Sequence, residues 1–167
     1  MSEQEMKDYL AQFRPDKDSF RGETVVHFLL MIYNKMIRQN GIFLADYNVT
    51  GAQFDMIMVI KMISDLREPG EGISQQELSK RLMVTEGGVT RIIDRMIKQG
   101  WVSRKPSKED RRFNSVTLTK KGEALFAAAY KNFEKLLESY VEDVTDLPAL
   151  TKMLGQWFYS LRKFDNP

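Results

Sequence analysis

Apolar residues recur along this chain at helical spacing in six places and in short β-branched runs in two. From Glu23 to Asn40 nearly every side is apolar, with VVHFLLMIYNKMI at the centre, which predicts a first helix. Gly41 predicts its stop. A helix this apolar needs two partners, its own core and a second subunit. Ahead of it, residues 1–22 are polar and broken by Pro15 and Gly22, which predicts a short helix or a mobile arm.

Three helix starts carry local chemistry. Thr50 and Gln53 have the spacing of a capping box, with Val49 and Phe54 as a hydrophobic staple around it. Ser74 and Glu77, flanked by Ile73 and Leu78, repeat the arrangement. Thr85 caps a third start, with Val84 and Val89 around it, but no acid or amide stands at the return position. The second helix is therefore placed over Gly51 to Asp65, with Phe54, Ile57, Met58 and Met62 at helical spacing. REPGEG, Arg67 to Gly72, reads as a turn-rich loop. The third helix, Gln75 to Leu82, is followed after Met83 and Val84 by the Thr85 cap. Two helices joined so tightly must cross steeply, as in a helix-turn-helix.

In the fourth helix, Glu86 to Gln99, Val89, Ile92, Ile93, Met96 and Ile97 form one apolar stripe. The opposite side carries Gly87, Gly88, Arg91, Asp94, Arg95 and Lys98. Gly100 stops the helix. Trp101 to Arg104 and Ser115 to Leu118 have strand character, and Lys105 to Asn114 between them is a charged loop with Pro106. Two strands around a basic loop, directly after a helix-turn-helix, describe a wing. Thr119 caps a fifth helix, Lys120 to about Val144, with Phe126, Tyr130, Phe133, Leu137 and Tyr140 at helical spacing. Asp146-Leu147-Pro148 starts a sixth, with Leu150, Leu154, Trp157, Phe158 and Leu161 on a broad apolar face. The fold class is mainly α with a small β-hairpin wing.

Composition narrows the chemistry. The chain has 167 residues, 43% hydrophobic and 29% charged, as a soluble globular protein would. The longest clean apolar run, Phe28 to Tyr33, is far too short to span a membrane. MSEQEMKDYL shows no secretory leader, so a cytoplasmic location is expected. No cysteine is present, which excludes disulfides, thiolate catalysis, thiol redox sensing and sulfur-bound zinc. His27 is the only histidine, so one chain cannot build a multi-histidine metal site. There is no catalytic triad, and the loop around Gly70 and Gly72 lacks the Lys and Ser/Thr of a phosphate loop. The expectation is no enzyme, no metal and no cofactor.

The net charge of +2 conceals an asymmetry. Residues 80–121 hold twelve basic side chains against four acidic, and the rest of the chain thirteen against nineteen. A basic block in an otherwise acidic chain suggests a face made for a polyanion; a merely solvated surface is the plainer alternative. Its position decides for the first. The second helix of such a pair enters the major groove of double-stranded DNA. Gly87 and Gly88, bare of side chains near the helix start, permit close approach to the duplex, and the first-turn N–H groups suit phosphate. A frayed helix start would also tolerate glycine.

The stretch ISQQELSKRLMVTEGGVTRIIDRMIKQGWVSRKPSKEDRRFNSVTLTKKG, Ile73 to Gly122, resembles the MarR (multiple antibiotic resistance regulator) transcription factors. The likeness rests on the V-T-R-x-x-D-R helix, the following G-W-V, the D-R-R wing and the V-x-L-T-x-x-G exit. It implies a winged helix-turn-helix DNA-binding lobe over 46–119, an N-terminal arm and dimerisation helix over 1–45, and C-terminal dimerisation helices over 120–167. It implies a homodimer whose all-helical dimerisation region comes from the first, fifth and sixth helices. By position, Arg91 lies where the family contacts DNA from the recognition helix. Arg112 matches the wing-tip arginine that enters the minor groove, and Asp110 the acid that orients it. Thr85 and Thr90 are expected as hydroxyl donors, and Ser74, Gln75 and Gln76 as contacts to the DNA backbone. Arg95, Lys105, Lys108 and Arg111 complete the expected DNA-binding set, although Arg95 and Lys98 could equally pair with acids, and Lys105 and Lys108 could be solvated wing charges. Asp94 reads as a salt-bridge partner for a nearby arginine, and Trp101, Tyr33, Phe54 and most of the ten methionines as core.

The family commonly answers to small aromatic molecules held between the dimerisation helices and the winged lobe. His27, Met31, Tyr33, Met36, Met56, Met58 and Met62 are the candidates for such an effector pocket, with core packing, and for His27 a structural interface role, as the alternatives. The expected function is a transcriptional regulator, in the first place a repressor, binding a pseudo-palindromic operator as a homodimer. The competing class is a winged-helix protein-interaction scaffold without DNA, which would need no basic residues on both recognition helix and wing.

Overall fold

The computed structural model describes Glu5, Asp8, Ala11 and residues 22–68, 70–106 and 114–164. Along them run α1 (Gly22–Ala45), α2 (Gly51–Ser64), β1 (Ile73–Ser74), α3 (Gln75–Leu82), α4 (Glu86–Lys98), β2 (Val102–Pro106), β3 (Asn114–Leu118), α5 (Lys120–Ser139), α6 (Leu147–Ser160) and a 3-10 turn, Leu161–Phe164. The fold is mainly helical with one small sheet, as expected. The chain divides into two compact units, residues 1–39 and 40–167. Residues 1–21 lie outside the description except at three positions, and so does the wing tip.

In the unit formed by residues 40–167, Phe54, Met56, Ile57 and Ile60 of α2, Leu78 of α3, and Val89, Ile93 and Met96 of α4 are fully buried. Val102 and Val116 close this core from the sheet, and Ala129 and Phe133 from α5. Phe133 meets Phe54 edge-on at 5.0 Å between ring centres and Phe43 at 5.7 Å. The sheet has the order β1-β3-β2 and is antiparallel throughout. In the wing, Val102 pairs with Leu118, Arg104 with Val116 and Pro106 with Asn114.

The helix starts follow their sequence signals. At α2, the Thr50 hydroxyl accepts from Gln53 N at 3.3 Å, and Thr50 N donates to Gln53 Oε1 at 3.0 Å, a complete capping box. Thr85 accepts from Gly88 N, Thr119 from Gly122 N, and Asp146 from Ala149 N. The end of α4 is a Schellman motif. Gly100 N donates to Ile97 O and Trp101 N to Met96 O, both at 2.9 Å, with Gly100 at φ +74°. Trp101 and Met96 are both buried there, as the motif favours. That is the physical content of the Gly-Trp pair.

Other expectations need correction. Gly41 does not stop the first helix, which runs four residues further to Ala45. A helix interior tolerates glycine at about 1 kcal/mol, and the burial of Leu44 beyond it outweighs that cost. The chain turns at Asp46 to Asn48 instead, with Asn48 at φ +54°. The fifth helix ends at Ser139 rather than near Val144. A third strand, β1, lies where a loop meets a helix start. The Ser74–Glu77 capping box is only half made: the Ser74 hydroxyl accepts from Glu77 N at 3.1 Å, but the Glu77 carboxylate turns to Arg67 and Arg81. Charged partners prevail over a neutral N–H. Phe54, Trp101, Met56 and Met96 are core, but Tyr33, Met62, Met83 and Met153 are exposed.

Candidate nucleic-acid interface

The helix-turn-helix is α3, a turn at Met83 to Thr85, and α4. Met83 takes the left-handed conformation at φ +52°, and Val84 N donates back to Ser79 O. On α4 the burial of Val89, Ile93 and Met96 turns Gly87, Arg91, Asp94, Arg95 and Lys98 outward. Ile97, expected in the apolar stripe, is partly exposed.

The outward residues divide into two kinds. Arg95 and Lys98 have no ion-pair partner among the described residues, and Arg91 bonds only its own helix, Nε to Gly87 O at 3.3 Å. Its two terminal nitrogens have no partner among the described residues. A Cβ built on Gly87 would meet nothing within 4 Å, so the first turn of α4 faces open space. Thr85 accepts from Gly88 N and keeps its own proton available. By contrast, Asp94 accepts from Arg104 Nη2 at 2.9 Å. The Thr90 hydroxyl lies 2.9 Å from Glu86 O and 3.3 Å from Gln75 Oε1. One proton serves these two acceptors, so Thr90 is engaged inside the lobe. Gln75 is likewise turned inward, its Nε2 buried without a partner, while Gln76 is exposed. Ser74 serves as the cap of α3.

Three of the basic residues counted in the sequence are used within the lobe. Arg104 pairs with Asp94, Arg81 with Glu77, and Lys121 donates to Gln99 O at 2.8 Å, where a cation suits the carbonyl end of α4. Arg67 reinforces the same region: its Nη2 reaches both Glu77 oxygens at 2.9 and 2.8 Å and its Nη1 the Gly72 carbonyl at 2.9 Å. Partial burial acts to raise the Glu77 pKa, but the hydrogen bonds and charges of Arg67 and Arg81 prevail and hold it below the usual range. The salt bridge expected of Asp94 is present, with Arg104 as the arginine, whereas Arg67 was missed as a partner. Asp94, an acid among the outward cations of α4, was the signal for such a pair; nothing in the local pattern points to Arg67. Lys105 is exposed on β2. Lys108, Asp110, Arg111 and Arg112 lie outside the described residues. Of the effector candidates, His27, Met31, Tyr33 and Met36 belong to the unit 1–39, where His27 meets Phe28 edge-on. Met56, fully buried, Met58, packed against the core, and Met62, exposed, belong to the unit 40–167.

Comparison with known proteins agrees with this geometry. Residues 47–112 match the model of the MarR family. An HTH-type transcriptional regulator of Bacillus anthracis is 28% identical over 128 residues, covering 77% of this chain and 80% of that protein. The HTH-type transcriptional repressor YetL of Bacillus subtilis (strain 168) is 29% identical over 126 residues, covering 73% of this chain and 71% of its own. A crystal structure of a mutant MarR from Escherichia coli complexed with operator DNA matches with a TM-score of 0.70 at 26% identity, over 84% of this chain and 99% of that one. A helix-turn-helix followed directly by a two-stranded wing defines a winged-helix protein. Residues 47–112 thus carry the match to the MarR family, within a chain whose fold is similar to that of MarR.

Proposed function

We propose that this chain binds a specific sequence of double-stranded DNA as a homodimer and represses transcription from it. The observation that carries the reading is the stripe of Arg91, Arg95 and Lys98 on α4, outward and without a carboxylate partner among the described residues, while Asp94 beside them is paired within the lobe. Guanidinium groups suit bidentate readout of guanine, and the flanking cations suit phosphate. The MarR complex with operator DNA and the repressor YetL support the same reading. Arg112 and Lys105 extend it to the wing, the first in the minor groove.

The homodimer rests on unfinished burial. No residue of α6 is buried in the single chain, and Phe158 and Tyr159 are 59% and 65% exposed. Taken by itself, α1 likewise exposes Val25, Val26, Leu30, Ile32, Tyr33 and Ile37. Apolar surface on this scale is what a subunit interface covers. Two recognition helices then lie roughly 34 Å apart and meet successive major grooves of a pseudo-palindrome. Phe158→Asp is expected to give monomers in sedimentation while leaving the winged lobe folded; a variant that stays dimeric counts against α6 as the interface.

Selection of bound duplexes from a random pool, followed by anisotropy against salt, tests the DNA reading. With about eight phosphates contacted, the logarithmic salt slope is near −7. Arg91→Ala is expected to weaken binding by about tenfold or more and to relax sequence choice. Equal, salt-insensitive affinity for all duplexes would favour the scaffold reading instead. Release by a small aromatic effector belongs to the same proposal and rests on the sequence resemblance. Calorimetric titration with aromatic carboxylic acids that gave neither heat nor release of DNA would remove it.

A further inference from the structure

Thr90 and Asp94 stand four residues apart on α4 and therefore share one face, beside the free stripe of Arg91, Arg95 and Lys98. That face is held at both ends. Thr90 meets Gln75 at the start of α3, and Asp94 meets Arg104 on β2, the strand that leads into the wing. The Asp94–Arg104 pair is thus the side-chain link between the two cationic elements that the DNA reading requires. It also differs from an ordinary surface pair. The Arg104 side chain is only 26% exposed, its Nε is buried without a partner, and its backbone register is opposite the fully buried Val116. Without Asp94 this partly desolvated guanidinium would lose its one acceptor among the described residues, and it would have reason to swing toward water.

We propose that Asp94 is a positioning residue: through Arg104 it fixes recognition helix and wing as one rigid reading surface, and so sets sequence selectivity rather than raw affinity. This rests on the reading of the chain as a DNA binder and adds a prediction whose sign simple electrostatics reverses. An acid near phosphates repels them, so charge alone would have Asp94→Asn bind every duplex more tightly. Positioning predicts a narrower gap between specific and mixed-sequence DNA.

The experiment measures anisotropy of the wild-type homodimer and its variants on two duplexes. One is recovered from a random pool with wild-type protein, the other a scramble of equal length. For Asp94→Asn, affinity for the selected duplex is expected to fall by about five- to tenfold, with affinity for the scramble unchanged or higher. Combined with Arg104→Gln, it should add almost nothing further to the loss of selectivity. The exchange Asp94→Arg with Arg104→Asp should recover selectivity that Asp94→Arg alone has lost, which also guards against a variant that merely folds badly. Additive losses, or Asp94→Asn with the wild-type ratio, overturn the proposal while leaving DNA binding intact. Wild-type protein with no affinity for either duplex overturns the underlying reading and this proposal with it.

Discussion

Two helices of the winged lobe, α4 and α5, carry glycine in their first turns, in opposite surroundings. Gly87 in α4 looks into open space, whereas a Cβ on Gly122 in α5 would lie 2.1 Å from the Trp101 carbonyl oxygen and 3.4 Å from Leu118. Gly122 lets α5 seat against the end of the recognition helix; a side chain at Gly87 would meet nothing among the described residues. The same residue type therefore serves packing in one place and leaves a bare surface in the other. The lobe is closed on its inner side, and the first turn of α4 stands open on its outer side.

Gly122→Ala breaks the comparison on the packed side and should have the largest effect. Helix propensity alone favours alanine by up to about 1 kcal/mol. A backbone oxygen at 2.1 Å cannot yield cheaply, and overpacking of this kind costs about 3 kcal/mol, so the steric effect decides the sign. A denaturant midpoint equal to or above wild type would show that α5 is not seated as described.

Glu77 stands between the two sides, partly covered and gripped by Arg67 and Arg81. Because its folded pKa is lowered, the stability it supplies is present above the unfolded pKa and is lost as pH falls through the folded one. Solvent screening keeps this within about 1 kcal/mol. Glu77→Gln is therefore expected to be slightly less stable than wild type at neutral pH, with the difference closing in acid. Urea melts between pH 7 and about pH 3 check this; a gap constant with pH would show that the arginines do not act through its charge.

These cases also show what the sequence discloses and what it hides. Thr50, Thr85 and Thr119 announce helix starts because a cap and the N–H that donates to it lie within three residues. The stripe of Val89, Ile93 and Met96 names the buried face of α4, and so its outer face, for the same local reason. Strand β1 has no such signature. Its two residues pair with β3 some forty positions away, and Gly72 permits the approach, since a Cβ there would lie 2.1 Å from Ser115 Oγ and 2.5 Å from the Val116 carbonyl. Partners that arrive from a distance defeat local reading in the same way. Glu77 had the spacing of a capping box, but Arg67, ten residues upstream, redirects it. Among the DNA-facing candidates, Thr90 and Gln75 were legible as polar residues in the right place, and only the fold reveals that they engage each other.

Gly87→Ala is the smallest expected change and the one that sharpens the comparison most. With nothing within 4 Å of the added methyl, propensity is unopposed, and stability should rise by about 0.5 kcal/mol, less than a mid-helix site would give because Gly87 lies in the first turn. DNA affinity should move the other way. If the first turn of α4 approaches the duplex closely, a methyl group at Gly87 takes the space that the bare backbone had left, and binding to a selected duplex weakens several-fold. Stability and affinity changing in opposite directions would mark Gly87 as surface kept open for a partner. Equal affinity with raised stability would mean that DNA never comes close to this turn, and contact would then have to begin one turn later, at Arg91.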